Sequence, residues 1–295
     1  MNPVQPGEHA PRVGILGLGR MGRAMAARLT GQGFAVAGWN RSGIATDKAR
    51  ELRITACPDI SSAAAAADII LLSLSDDAAV TAVIEDLTRS DLRGRLIVDT
   101  STVSPDTLRR LAGAIGRAGG VPLDAPISGG PDMVLSGKAG LYIGGEVEHF
   151  ERFLPVAQAI SNRVHHVGGL GDGAAAKIVN NMMLLGYWQC LKEAVQLGKR
   201  AGLKLETMMK ILSGSPGATP LFVQRIPVIL GETDEIGFTV SGVVKDAVMF
   251  VQTAQQYGVP VPAMESALAS FRAHGDAGFG DADFATLMRA AYSDA

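Results

Sequence analysis

Four short runs of the chain carry residue types that could do chemistry. Gly17-Leu18-Gly19-Arg20-Met21-Gly22 has the spacing GxGxxG. It follows the apolar run Val13-Gly14-Ile15-Leu16 and opens a segment of helical period, Met25, Ala26 and Leu29. Alone, the pattern is an ordinary glycine-rich turn. Between a strand and a helix it lets the backbone approach a pyrophosphate, and the helix N-terminus presents N–H donors to the anion. The second run, Trp39-Asn40-Arg41-Ser42, closes the next apolar segment. A site selective for NAD carries an acid there to accept from the ribose 2′-OH, and this run has none. Arg41 can pair with a 2′-phosphate, and Asn40 and Ser42 can donate to it. NADP(H) is therefore the preferred cofactor and NAD(H) the second candidate. If Arg41 only covers the surface, that preference stays open.

The third constellation is Lys177 and Asn181, four residues apart and so on one face of a helix. An ammonium and an amide in a largely apolar helix need partners, because burying either unsatisfied is costly. A carbonyl substrate would supply them, with Lys177 as proton donor or acceptor. Spacing alone equally allows a structural lysine that snorkels to the surface. Asp124-Ala125-Pro126-Ile127-Ser128-Gly129-Gly130 follows a short apolar run. Ser128 offers a hydroxyl and the paired glycines can expose N–H groups to a carboxylate, although composition alone reads this run as a plain turn.

The elements that must position these groups are legible as alternating patterns. Val13–Leu16, Phe34–Trp39, Ile69–Leu74 and Leu96–Val98 are apolar runs of strand length, separated by helical patterns such as Ala78–Leu87 and Pro105–Ala118. Strands apolar on both faces imply a parallel sheet covered by helices on both sides, a doubly wound α/β domain of Rossmann type. Val121–Asp124, Leu141–Ile143 and Val164–Val167 extend the sheet. Ala63–Ala67 reads as a helix of small side chains packed close to it. Beyond Gly171 only helical patterns follow: an uninterrupted stretch from Ala174 to Ala201, then Leu205–Leu212, Phe222–Leu230, Val243–Tyr257, Pro262–His274 and Phe284–Ala290, with Gly275–Asp281 as a loop. The long stretch is apolar over most of its circumference, which predicts burial between domains or subunits. The expected division is a dinucleotide-binding domain over 1–170 and an all-helical domain, for substrate and oligomerisation, over 171–295.

Composition excludes several classes. The 295 residues are 47% hydrophobic and 19% charged, enough for a large core and unlike a disordered chain. A net charge of -2 gives no electrostatic reason to expect nucleic acid or an anionic membrane as partner. Cys57 and Cys190 fit no metal-ligand spacing and read as reduced thiols of a cytoplasmic protein. His165-His166 lacks a third ligand nearby, so no metal is expected. The residues from Met1 to Arg12 are polar, with three prolines, and read as a frayed leader rather than a signal peptide. The longest apolar run, Ala63–Leu74, is broken by Asp68 and falls short of the ~20 residues of a membrane span, so a soluble protein is expected.

Together the motifs resemble the β-hydroxyacid dehydrogenase family, which includes 3-hydroxyisobutyrate dehydrogenase, tartronate semialdehyde reductase and the plant-type glyoxylate/succinic semialdehyde reductases. The resemblance covers nearly the whole chain and rests on Gly17–Gly22, Ser101-Thr102-Val103, Asp124–Gly130, Gly171–Asn181 and Lys245-Asp246. It implies that Lys177 is the catalytic acid/base and that Asn181 orients substrate beside it. It further implies that Ser128, Gly129 and Gly130 hold a substrate carboxylate, and that Thr102 and Lys245 border the nicotinamide cofactor. Phe238 and Asp246 match positions that close over the active site. A homodimer or homotetramer acting on a small carboxylate is the expected assembly.

Two departures from the family pattern bear on the substrate. The run Pro131–Lys138 differs from the Ala/Gly-rich stretch expected after Ser128-Gly129-Gly130, which alters the substituent pocket. Met182, Met183, Leu184, Leu185 and Trp188 give the long helix a bulky face, which fits a substrate above three carbons or simply a core. Two other readings compete with the leading one. Imine reductases are similar in the N-terminal glycine motif and the Asn-Arg-Ser run, but usually carry another residue where Lys177 stands, since a second cation does not help a cationic imine. A non-catalytic NADP-binding module is the third reading, and retention of Lys177 argues against it.

Overall fold

Every residue of Val13–Leu16 is buried, so the run can only be a strand covered on both faces. The computed structural model describes residues 10–294, and the chain divides into two compact units at Ile178 and Val179. The reading of a frayed leader thus lies, for residues 1–9, outside the described residues.

In the first unit the elements alternate: β1 (Val13–Leu16), α1 (Arg20–Gly31), β2 (Val36–Trp39), α2 (Thr46–Leu52), β3 (Thr55–Ala56), α3 (Ile60–Ala65), β4 (Ile69–Leu72), α4 (Asp77–Leu87), β5 (Leu96–Asp99) and α5 (Pro105–Arg117). There follow β6 (Val121–Asp124), β7 (Ile127–Ser128), α6 (Pro131–Leu135), β8 (Gly140–Gly144), α7 (Val147–Ile160), β9 (Arg163–Gly168) and the start of α8 (Asp172–Arg200). The sheet order is β3-β2-β1-β4-β5-β6-β8-β7, with β9 beside β8. From β3 to β6 all pairs are parallel. Beyond β6 the expectation of one parallel sheet is modified: β8 runs antiparallel to β6 and β7, and β9 parallel to β8.

Alternate residues of the central strands feed two cores. Val13, Ile15, Ile69, Leu71, Leu96 and Val98 pack with Met25 and Leu29 of α1 and Phe153 and Val156 of α7. Leu16, Ile70, Leu72 and Ile97 pack on the other face with Ala63, Val80, Ile84 and Leu108 of α3, α4 and α5. This is the doubly wound arrangement that the apolar runs require. Chain direction reverses its progress across the sheet between β1 and β4, so a crevice opens at the carboxyl ends of those strands, where such folds bind ligands.

The second unit continues α8 and adds α9 (Leu205–Ser213), α10 (Pro220–Leu230), α11 (Val240–Gln256), α12 (Pro262–His274) and α13 (Thr286–Ser293). Thr219 and Thr239 cap α10 and α11 by accepting from Phe222 and Gly242 N–H. The stretch read as a loop after α12 is in part a π-turn over Gly275–Phe279, interrupted where Gly278 takes φ 96°. The apolar character of α8 does not translate into all-round burial of the chain. Leu185, Trp188, Leu191 and Val195 form a buried stripe, whereas Val179, Met183 and Leu197 are 66, 75 and 73% exposed. No described helix is long and apolar enough to cross a membrane.

Candidate dinucleotide and substrate site

The turn from β1 to α1 is built around its glycines. Gly17 has φ 101°, and a Cβ there would run into the Ser73 carbonyl; a Cβ on Gly22 would run into the Gly17 carbonyl. Gly19 is different: nothing lies within 4 Å of where its Cβ would stand, so the space above the helix start is open. Gly19 precedes α1 with no side chain to cap it, and no acid stands in the first turn that includes Arg20, Met21 and Gly22. An uncapped N-terminus under open space is what a pyrophosphate requires, so these residues fit the dinucleotide. The Leu18 N–H donates to Asn40 Oδ1 (3.0 Å), and Asn40 Nδ2 donates to Ser42 Oγ (2.7 Å). Asn40 thereby ties the glycine turn to the end of β2. Arg41, next to it, is exposed.

Two strands along, Asp99 ends β5 and is 1% exposed. Its Oδ1 accepts from Ser101 N–H (2.9 Å), while Oδ2 is buried without a hydrogen-bond partner. Ser101 Oγ in turn accepts from Leu74 N–H (3.0 Å), and Thr100 Oγ1 donates to the Leu72 carbonyl (2.6 Å). These bonds hold the segment carrying Thr102 against the end of β4. Burial pushes the Asp99 carboxyl up to about 6, with the Ser101 bonds opposing and the Asp124 and Asp77 charges adding.

Asp124 pairs in register with Asp99 on the adjacent strand β6. It accepts from Gly171 N–H at Oδ1 and Ala174 N–H at Oδ2, both at 2.7 Å. Burial likewise raises its carboxyl to about 6, against the pull of those two donors. The chain then turns through β7 into Ser128, Gly129 (φ 128°) and Gly130, which precedes α6 with no side-chain cap. The departing run Pro131–Lys138 is thus a short helix and its exit. Its Met133 lies over Gly129, with Sδ 2.8 Å from where a Cβ would stand. On α8, Lys177 is 6% exposed and Asn181, one turn on, is 8% exposed. Asn181 Oδ1 accepts from Asn180 Nδ2 (3.0 Å).

The remaining candidates belong to the second unit. Lys245 and Asp246 stand side by side in the second turn of α11, with Nζ 2.7 Å from Asp246 Oδ1; Asp246 is buried and Lys245 half-buried. Phe238 sits in the turn before α11. That turn is held by a residue the sequence did not flag: Asp283 Oδ2 accepts from Gly237 N–H (2.8 Å) and Phe238 N–H (3.2 Å), and Oδ1 from Ala285 N–H (3.0 Å). Arg225 lies 3.8 Å from the same carboxylate. Asp99 was missed as well, and Asp124 entered only as the head of the Asp124–Gly130 run, with no role of its own. Their one local signal is a carboxylate ending an apolar strand, which has no reason to be there unless something binds it.

Two family models match the chain. One, the NAD binding domain of 6-phosphogluconate dehydrogenase, covers residues 12–168. The other, the NAD-binding domain of NADP-dependent 3-hydroxyisobutyrate dehydrogenase, covers residues 171–291. The 2-(hydroxymethyl)glutarate dehydrogenase of Eubacterium barkeri is 31% identical over 96% of this chain and 95% of that protein. Glyoxylate/succinic semialdehyde reductase 1 of Arabidopsis thaliana is 27% identical over 94 and 97%. The solved structure of Mycobacterium tuberculosis 3-hydroxyisobutyrate dehydrogenase with L-serine superposes with a TM-score of 0.85, at 25% identity, over 95% of this chain and 98% of that one.

Proposed function

Since the chain belongs to the β-hydroxyacid dehydrogenase family of NAD(P)-dependent enzymes, we propose that it interconverts a small β-hydroxy or other hydroxy carboxylate and its semialdehyde or keto acid, preferring NADP(H). The bound nicotinamide supplies or accepts the hydride at the carbonyl carbon. In the reducing direction the Lys177 ammonium donates a proton to the carbonyl oxygen as negative charge develops there. The Asn181 amide, one turn along α8, keeps Lys177 and the substrate oxygen in register. The Ser128 hydroxyl and the Gly129 and Gly130 N–H groups donate to the substrate carboxylate. Gly17–Gly22 cradle the pyrophosphate, and Arg41, with Asn40 and Ser42, meets the 2′-phosphate. Thr102 and Lys245 contact the cofactor, and Phe238 and Asp246 the substrate, as the family resemblance implies.

The observation that carries this reading is Lys177, a lysine 6% exposed in the first turns of a helix, in the same unit as the glycine turn and Ser128–Gly130. Sequestering an ammonium is costly, and proton transfer to a developing alkoxide is a function that rewards it. The names of the relatives point the same way. 2-(Hydroxymethyl)glutarate and L-serine both carry a hydroxyl β to a carboxylate, and succinic semialdehyde is a carboxylate with an aldehyde. Residues 1–170 serve in this proposal as the dinucleotide domain and 171–295 as the substrate and oligomerisation domain. The assembly is a homodimer or homotetramer in the cytoplasm, with Cys57 and Cys190 as free thiols.

The test is NADPH and NADH oxidation by the purified protein with glyoxylate, succinic semialdehyde, methylmalonate semialdehyde and tartronate semialdehyde, Lys177→Ala in parallel. Turnover should fall about 10²–10⁴-fold in the variant while NADPH binding is retained. Near-normal turnover in Lys177→Ala would defeat the assignment.

A further inference from the structure

A helix N-terminus is ordinarily capped by the residue next to it in sequence. The start of α8 is served instead by Asp124, a carboxylate from the end of β6. The N–H groups of Gly171 and Ala174 bracket the first turn, and each donates to a different oxygen of Asp124 at 2.7 Å. Asp124 is 3% exposed. Glycines make the approach feasible. A Cβ on Gly173 would stand 2.7 Å from Asp124 Oδ2 and run into the Tyr142 carbonyl. A Cβ on Gly144, the partner of Asp124 across the β6–β8 pair, would stand 2.6 Å from Oδ1 and 2.8 Å from Gly173 N. Side chains at either position would push the helix off the carboxylate.

The helix start is pinned from a second direction. Arg109 of α5 donates from Nε to the Leu170 carbonyl (2.7 Å) and from Nη2 to Asp172 Oδ1 (3.0 Å). Two bonds to one carboxylate, from donors three residues apart, fix both the rise and the rotation of the first turn. Ala174 and Lys177 are three residues apart on the same side of that helix, and both are buried. On its other side Asp124 lies four residues before Ser128 in its own strand-and-turn segment. One rigid group therefore links the two places to which the proposed function assigns the proton donor and the carboxylate.

We propose that Asp124 is a positioning residue: by holding Gly171 and Ala174 it sets where Lys177 stands relative to the Ser128–Gly130 turn. This rests on the reading of Lys177 as the proton donor. A displacement of ~1 Å in a reacting group is enough to cost about 10²-fold in rate, so the effect belongs in kcat and not in cofactor affinity.

Asp124→Asn keeps the shape and one acceptor but sets an NH₂ against one of the two N–H donors. Asp124→Ser keeps a single acceptor in a smaller side chain and serves should the amide fail to fold. Both are measured by steady-state turnover of the four aldehydes with NADPH, and by NADPH binding through its fluorescence. Either change is then combined with Lys177→Ala. The expected result is a kcat lowered about tenfold or more with the NADPH dissociation constant moved by less than about threefold. On the Lys177→Ala background the Asp124 change should alter residual turnover by less than about twofold, because residues acting through one another are not additive. Equal fold losses with and without Lys177 would overturn the inference, as would a loss of NADPH affinity in parallel with kcat. Full kcat in Asp124→Asn, with turnover lost in Lys177→Ala, would sink the inference and leave the proposed function standing. Normal turnover in Lys177→Ala would sink both.

Discussion

The buried carboxylate of Asp99 makes a prediction whose size follows from its surroundings. Its carboxyl is raised to about 6 in the folded chain, from an ordinary 3.8, chiefly by burial. Between those two values the folded chain holds a proton that the unfolded chain has already released. Stability therefore falls as pH rises from about 4 to about 6 and is flat above that. A shift of 2.2 units (6 − 3.8) at about 1.36 kcal/mol each corresponds to a loss of about 3 kcal/mol across the window. Asp99→Asn removes the ionisation while keeping an acceptor for Ser101 N–H. The amide NH₂ replaces an Oδ2 that already lacks a partner, and whatever this costs is the same at every pH. Other carboxylates have the opposite slope, such as Asp68, held low by its hydrogen bonds to Arg12. Those remote from Asp99 are common to both proteins and cancel in the comparison, whereas Asp124, whose charge adds to the Asp99 shift, is coupled to it. Urea unfolding of both chains at pH 4 and pH 7.5 gives the quantity needed. Relative to the parent, Asp99→Asn should gain about 2 kcal/mol in going from the lower to the higher pH, because the unfolded carboxyl is already more than half ionised at pH 4. An unchanged difference at the two pH values would mean that Asp99 titrates as an ordinary solvated carboxylate, and the reasoning from burial would be refuted.

Other expectations concern cofactor choice and assembly. Arg41→Ala should weaken NADPH about 10- to 100-fold, the range of a lost charge-assisted hydrogen bond, and leave NADH almost unaffected; equal losses for both dinucleotides would remove Arg41 from the 2′-phosphate. Met183→Glu places a charge among the exposed Val179, Met183 and Leu197 of α8. In a dimer or tetramer that uses this face, sedimentation should report a shift toward monomer, whereas an unchanged mass would put the interface elsewhere.

How much of this was legible beforehand depended on how local each cause is. β1 and β4 are short runs apolar throughout, as is β5 up to its last residue, Asp99, and a strand buried on both faces has no other appearance in sequence. The glycine turn was equally plain, because its requirements lie within six residues. Helix α7 went unread: its first half is polar and charged, and Pro155 interrupts its period. Helices α2 and α6, with 7 and 5 residues, and strands β3 and β7, with 2 each, are too short to establish a period. The reversed direction of β8 was invisible because composition does not record direction. For α8, the apolar circumference suggests burial between domains or subunits, and within the single chain one face at helical spacing forms the buried stripe. The parts of Asp124 and Asp283 were the least accessible. Asp124 meets its donors 47 and 50 residues away, and Asp283 its own 45 and 46 away, so only the folded chain brings them together.

Helix α6 has a consequence for how substrate preference can drift among descendants of such a chain. Of its five residues only Val134 is buried, and Met133 and Leu135 are exposed. The segment beside Ser128–Gly130 is thus fastened by a single anchor, while the strand end before it is locked by Asp124 and its glycines. Selection, or a laboratory library, can vary Pro131–Met133, Leu135, Ser136 and Lys138 with little penalty to folding, while Gly137, at φ 71° against Arg28, is held fixed and the framework beneath is inherited intact.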